Sequence, residues 1–180
     1  MMILIAIGSN LADAGHRTSL DVCEDAVSAL AGMAGMAGMA GVAGLRLVSV
    51  SRWFRSAAVP ASDQPDYVNG VARLDGEIDP ATLLASLQAI ERRFGRVRSV
   101  RNAARTLDLD IVAMGTLVRD APDPVLPHPR AHLRGFVLLP LRDVAPEWVE
   151  PRSGLAVQAL IDGLPLADRQ ACQVVATCER

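Results

Sequence analysis

Residues 105–115, RTLDLDIVAMG, place two aspartates, Asp108 and Asp110, in alternation with Leu107, Leu109 and Ile111. A period of two marks a half-buried strand, because successive side chains leave opposite faces. The Leu and Ile side chains then enter a core, and the two carboxylates share the other face with Cα atoms about 6.6 Å apart. Carboxylates that close raise each other's pKa unless something positive lies between them. A divalent cation is one answer, since Mg²⁺ is usually held by one or two carboxylates, with water and substrate phosphate filling the remaining positions. A solvated polar face on an edge strand is the other answer, and the plainer one for a bare Asp-x-Asp.

The rest of the chain narrows the context. At 180 residues and 51% hydrophobic content it can bury one good core and is short for two, so residues 1–180 are expected to form a single domain. A net charge of −2 creates no global field for nucleic acid or an anionic membrane, so any anion site is local. Aromatics at 3% leave little material for a base-stacking RNA-binding sheet. Cys23, Cys172 and Cys178 form no CxxC pair and leave one over, which fits reduced thiols in a cytoplasmic protein. The N-terminal MMILIAIGSN lacks a basic leader and reads as a first strand.

Residues 26–45 carry no charge and are long enough to span a bilayer. Their bulky residues recur every third position, however, and on a helix that stripe walks around the cylinder without forming a face. The glycines at 32, 35, 38, 41 and 44 would each cost a helix roughly 1 kcal/mol relative to Ala. Residues 31–45 therefore read as a low-complexity Ala/Gly/Met insertion, not a membrane span.

The element order follows from punctuation and periodicity. A strand at 2–7 is followed by a helix over 16–31, a strand from Leu45 to Arg55, a strand in YVNGVARLD, and a helix capped by Asp79 with Pro80 at its first position and Gly95 past its end. The opening stretch is the fourth strand. Strand, helix, strand, strand, helix, strand is the split βαβ order of a ferredoxin-like α+β fold, a mostly antiparallel sheet with helices packed on it. A short hairpin near 116–119, a proline-rich loop, and C-terminal helices near 132–142 and 155–162 complete the chain.

Six arginines, at 92, 93, 96, 98, 101 and 105, lie between Glu91 and Asp108 with no acid among them. All 18 basic residues of the chain are arginine, which reflects genomic base composition and weakens any single Arg as a phosphate signal. Even so, this local excess must be solvated or face anions. Guanidinium forks beside a carboxylate pair are the parts of phosphoryl transfer: metal to bridge phosphate oxygens, arginine to absorb developing charge. No Walker A sequence or kinase glycine-rich loop is present. Two other readings stay open on these residues alone: a different Mg²⁺-dependent nucleotidyl or phosphoryl transferase, and a non-catalytic ferredoxin-like ligand-binding domain.

Five segments, IAIGSNL (5–11), DQPDYVNG (63–70), GRVR (95–98), RTLDLDI (105–111) and PHPRAHLRGFVLLPL (127–141), together resemble in order and spacing the 6-hydroxymethyl-7,8-dihydropterin pyrophosphokinase family of folate biosynthesis. The resemblance runs from about residue 3 to residue 151. It implies transfer of pyrophosphate from ATP to the pterin hydroxymethyl oxygen, releasing AMP, with two Mg²⁺ ions; the protein is expected to be a cytoplasmic monomer. By position it makes Asp108 and Asp110 the metal ligands and, with Arg96 and Arg101, the catalytic group. Ser56, Val59, Tyr67, Asn69 and Phe136 would meet the pterin. Gln88, Glu91, Arg98, Arg105, Ile111, His128 and Arg134 would hold ATP.

Each residue also has an ordinary structural reading. Tyr67 fits a strand aromatic, Phe136 a helix-core residue and Glu91 a helix-surface charge, while His16 and His132 read as surface histidines. The chain departs from the family pattern at Ser56-Ala57-Ala58, where many members carry Thr-Pro-Pro. It departs again at Asn102-Ala103-Ala104, where a Trp-Gly-Pro often precedes the arginine of the aspartate motif.

Overall fold

The computed structural model describes residues 1–12, 17–35, 42–58, 63–96 and 105–175. Strand β1 (Met2–Ser9) leads into helix α1 (Ser19–Gly35), then β2 (Val42–Val50), β3 (Phe54–Ser56), β4 (Tyr67–Ile78), α2 (Pro80–Arg93) and β5 (Asp108–Met114). Helices α3 (Gly135–Val144), α4 (Val157–Asp162) and α5 (Leu166–Gln170) follow, and a two-residue strand β6 (Gln173–Val174) ends the order. The sheet runs β5-β1-β4-β3-β6, with β2 also against β4, and every pairing is antiparallel.

Both faces of the sheet are covered. On one, Ile3, Ile5 and Ile7 of β1 and Leu109 and Ile111 of β5 pack with Val22, Cys23, Ala26 and Leu30 of α1 and Leu83, Leu87 and Ile90 of α2. On the other, Leu4, Val71, Val112 and Ala113 lie under Val137, Leu138 and Leu141 of α3 and Val157, Leu160 and Ile161 of α4. Each fully buried Leu or Ile contributes about 1.5–3 kcal/mol through loss of apolar contact with water. The near-continuous apolar run of β1 follows from this placement, since a central strand covered on both faces has no polar side to present.

Punctuation sets the helix starts. Thr18 accepts from the Asp21 N–H at 3.2 Å, while Asp21 accepts from the Thr18 N–H at 2.9 Å, a reciprocal box that begins α1. Asp79 caps α2 through the Thr82 N–H at 3.0 Å. Helix α1 continues to Gly35, past the expected end at 31 and into the Ala/Gly/Met repeat; residues 36–41 lie outside the described residues. The single expected strand from Leu45 to Arg55 is two strands. Ser51 exchanges main-chain and hydroxyl hydrogen bonds with Val71, each at 2.9 Å, and turns the chain between them. Elements α5 and β6 have no counterpart in the sequence reading.

A register shift between β1 and β5 pairs Ile5 with Ile111 and Leu4 with Ala113, leaving Val112 outside the ladder. The bulge puts Val112 and Ala113 together under α3 and frees the Val112 carbonyl to accept from the His128 N–H at 2.8 Å. Cys23 and Cys172 are free, and burial pushes the Cys23 thiol up to about 12. Among the described residues no helix is long and apolar enough to cross a membrane.

Candidate active site

Antiparallel pairing brings the C-terminal end of β1 beside the N-terminal ends of β4 and β5. Gly8 pairs with Asn69 on one side and Asp108 on the other, so glycine forms the floor between an amide and a carboxylate. A Cβ on Gly8 would stand 3.4 Å from Asn69 Oδ1. Tyr67 and Asn69 alternate with the buried Val68 and share the face of Val71, while Asp108 and Asp110 share the face of Val112. Both pairs therefore open toward α3. At its start Arg134 stacks over the Phe136 ring, 5.5 Å from the centroid, and Phe136 packs at the edge of the core on this face.

The aspartates are the electrostatic centre. Arg96 donates to Asp108 Oδ1 at 2.5 Å, and Arg105 to Oδ2 at 2.9 Å. Arg96 also pairs with Glu91, whose carboxylate is 2% exposed and accepts from the Leu109 N–H at 2.9 Å. Asp110 Oδ2 lies 3.8 Å from His128 Nε2. Asp110 sits in a recess with 45% of its side chain still open. Burial and the Asp108 charge push its pKa up, against the opposing pull of His128, Arg134 and Arg96. Burial lowers the pKa of His128, with Arg134 and Arg130 adding to the effect against Asp110. Burial also lowers that of Arg134. For Arg105 burial acts downward, but the Asp108 partnership wins and its pKa is raised. Burial raises the Tyr67 phenol, although Arg105 pulls against it.

This donor set fits a hard divalent cation. Two carboxylates on one strand face offer oxygen ligands, and repulsion between them is the demand a cation would meet. Among the described residues no group of three or more His, Cys, Asp or Glu side chains could hold a metal by itself. Two carboxylates with the shell completed by water and substrate is the arrangement Mg²⁺ favours over an all-protein cage.

The structure gathers most of the expected residues and reassigns some. Asp108, Asp110, Arg96, Arg105, His128, Arg134, Tyr67, Asn69 and Phe136 converge at this end of the sheet. Glu91 is turned inward, not a helix-surface charge, and it braces β5. Ser56 is 5% exposed and accepts from the Asn69 amide at 3.0 Å, so it orients Asn69. The Ile111 side chain is 4% exposed in the core beneath α1 and α2, which leaves only its main chain to face a ligand. Gln88 is half-buried on α2, one turn before Glu91. Val59, Arg98 and Arg101 lie outside the described residues.

One residue without a role in the sequence reading is central. Asn10, 1% exposed, accepts from the Arg105 N–H at 2.9 Å and donates to Gln64 Oε1 at 3.1 Å and the Pro65 carbonyl at 3.2 Å. It ties the loop before Tyr67 to the residue that precedes the aspartate motif. Its place in IAIGSNL was visible, but its span of 95 residues to Arg105 was not.

Comparison with known proteins identifies the family. Residues 4–146 match the model of the 7,8-dihydro-6-hydroxymethylpterin-pyrophosphokinase family. A Synechocystis protein named 2-amino-4-hydroxy-6-hydroxymethyldihydropteridine pyrophosphokinase is 44% identical over 112 residues, 62% of this chain and 57% of that protein. A Pseudomonas aeruginosa protein of the same name is 41% identical over 145 residues, 81% of each chain. Among solved structures, wild-type Plasmodium falciparum HPPK-DHPS superposes with a TM-score of 0.61 at 10% identity, covering 89% of this chain and 44% of that one, a likeness of fold. The chain thus spans less than two thirds of the Synechocystis and Plasmodium proteins it matches. It belongs to the 7,8-dihydro-6-hydroxymethylpterin-pyrophosphokinase family.

Proposed function

We propose that the chain transfers the terminal pyrophosphoryl group of ATP to the hydroxymethyl oxygen of 6-hydroxymethyl-7,8-dihydropterin, a step of folate biosynthesis. The observation that carries this reading is the meeting, at one end of the sheet, of a carboxylate pair, Asp108 of which is gripped by two arginines, with an aromatic and amide pair facing another aromatic. The first half suits a polyphosphate and the second a flat heterocycle.

Tyr67 and Phe136 bound the pterin rings, and the Asn69 amide, oriented by Ser56, donates and accepts at their edge. The family resemblance assigns Val59 to the pterin as well. Asp108 and Asp110 hold two Mg²⁺ ions, which when bound supply charge neutralisation at the phosphate oxygens. Arg96 and Arg105 engage Asp108 and offer guanidinium forks to the β- and γ-phosphates. Gln88, His128 and Arg134 line the nucleotide side together with the Ile111 main chain, and the family resemblance assigns Arg98 to ATP and Arg101 to the catalytic group. The hydroxymethyl oxygen attacks the β-phosphorus in line, the bond between the α,β-bridging oxygen and that phosphorus breaks, AMP leaves, and the hydroxyl proton passes to solvent. Most of the acceleration comes from alignment and charge stabilisation, without a covalent enzyme intermediate.

The core is ferredoxin-like. Its support is the antiparallel order β5-β1-β4 with β2 and β3 together forming the next strand, and α1 and α2 sharing one face. The protein acts as a cytoplasmic monomer. Incubation with ATP and Mg²⁺, with and without the hydroxymethyl-dihydropterin, tests the reaction. AMP is expected only when the pterin is present, and ADP in its place would contradict the reading.

A further inference from the structure

The segment carrying His128 is held on its sheet side by the bond from its N–H to the Val112 carbonyl, two residues past Asp110. Upstream, Arg119 and Leu126 pair their main chains through bonds of 2.8 and 2.9 Å. Behind the segment lies an open cavity of about 280 Å³, bounded by Pro127, His128, Pro129, His132, Glu150 and Arg152. Among the described residues no side chain fills that space, so packing by them alone does not fix the back of the segment.

Arg152 ties the two walls together. Its Nη2 donates to the Leu126 carbonyl at 3.0 Å and the Arg119 carbonyl at 3.3 Å, and it meets the Asp120 carboxylate at 2.7 Å. The Asp120 side chain is 81% exposed, so that ion pair contributes little. The carbonyl bonds matter more, because they are charge-assisted and Leu126 is fully buried. The turn presenting Arg152 is itself fixed. Glu150, 5% exposed, accepts from the Arg152 N–H at 3.1 Å and the Ser153 N–H at 2.6 Å.

We propose that Arg152 is a positioning residue for the nucleotide half of the site. It holds the 119–128 segment so that His128 stands beside Asp110. The inference rests on the reading of His128 as an ATP-side residue, and it goes further by assigning affinity for ATP, not for the pterin, to a turn outside the site. Among the described residues, Arg152 hydrogen-bonds Arg119, Asp120, Leu126 and Glu150, and none of these bonds goes to Tyr67, Asn69 or Phe136.

Steady-state kinetics of Arg152→Ala with each substrate varied in turn test the asymmetry. The KM for ATP is expected to rise about three- to tenfold, the effect of losing one or two hydrogen bonds, with the KM for the pterin unchanged. Asp120→Asn, which removes only the exposed partner, is expected to behave as the parent does. Amide hydrogen exchange supplies a readout independent of turnover: Leu126 and His128 are expected to exchange faster in Arg152→Ala while β1 stays protected. An unchanged KM for ATP, an equal rise in both KM values, or unchanged exchange at Leu126 and His128 would overturn the proposal. If Arg152→Ala loses its fold, Arg152→Gln carries the same measurements with the same expected asymmetry. If the parent protein forms no AMP, the reading of function fails, and the exchange result alone decides whether Arg152 holds the segment.

Discussion

The Glu91 carboxylate of α2 accepts a hydrogen bond from the Leu109 main-chain N–H at 2.9 Å, which locks the helix to the middle of the aspartate motif. The same oxygen pairs with Arg96, so one buried acid sets both the strand and an arginine of the site. Glu91→Ala leaves a buried N–H unsatisfied and is expected to cost about 1–3 kcal/mol of stability. Glu91→Gln keeps an acceptor for Leu109 and is expected to cost less, while both variants lose turnover. Urea unfolding beside a turnover assay checks this; an alanine variant as stable as the parent would show that the bond contributes nothing.

The two aspartates are expected to differ in stability and agree in activity. Asp108 is held by Arg96 and Arg105, whereas Asp110 has, as its ion-pair partner among the described residues, His128 at 3.8 Å, and its pKa is pushed up by burial and by Asp108. In chelator, Asp108→Ala leaves two arginines without that partner and is expected to lose about 1–2 kcal/mol. Asp110→Ala relieves repulsion and is expected to lose nothing. Either change is expected to lower turnover roughly 100-fold or more with Mg²⁺ present, since charge stabilisation of the transferring group is the main catalytic contribution. Equal stability losses in chelator would contradict the asymmetry.

From RTLDLDI alone, geometry placed Leu109 and Ile111 in the core and both aspartates on one face, and the structure has them there. Alternation is local, so it survives folding. The different fates of Asp108 and Asp110 were not legible, because they depend on Arg96, twelve residues away, and on His128, which arrives on a loop docked by a bulge. Glu91 illustrates the same limit. Its helix was plain in sequence, but which face of its last turn meets β5 is a matter of packing. The break at Ser51 escaped because the residues on either side are equally good strand formers, and the turn is made by a hydrogen bond to Val71 twenty positions on.

Gly135 begins α3 with the Asp168 carbonyl of α5 pressed against it; a Cβ there would lie 2.9 Å from that oxygen. Gly135→Ala is expected to displace α5 at a cost of about 1–3 kcal/mol. It is also expected to shift Phe136 and raise the KM for the pterin more than that for ATP. Thermal melting and substrate titrations read the two effects, and an unchanged melting temperature would contradict the close contact.

Burial acts to raise the pKa of Glu150, but hydrogen bonds from the Ser153 hydroxyl and from the Ser153 and Arg152 N–H groups outweigh it, and its pKa is lowered. The folded protein therefore holds this proton less tightly than the unfolded chain. Its stabilising contribution is full above the unfolded Glu value, about 4.3, and is lost as pH falls through the lower folded value. The destabilisation caused by Glu150→Gln is expected to be largest above about pH 4.3 and to shrink below it. Denaturant unfolding of both proteins across that range measures the difference, and a gap that widens on acidification would reverse the sign.

The mass of the pterin product formed from ATP, Mg²⁺ and hydroxymethyl-dihydropterin tests the account most directly. A product carrying two added phosphoryl groups, with one AMP released per pterin consumed, is the expected result. A pterin carrying one added phosphoryl group, or one that gains none while ATP is hydrolysed, would contradict it.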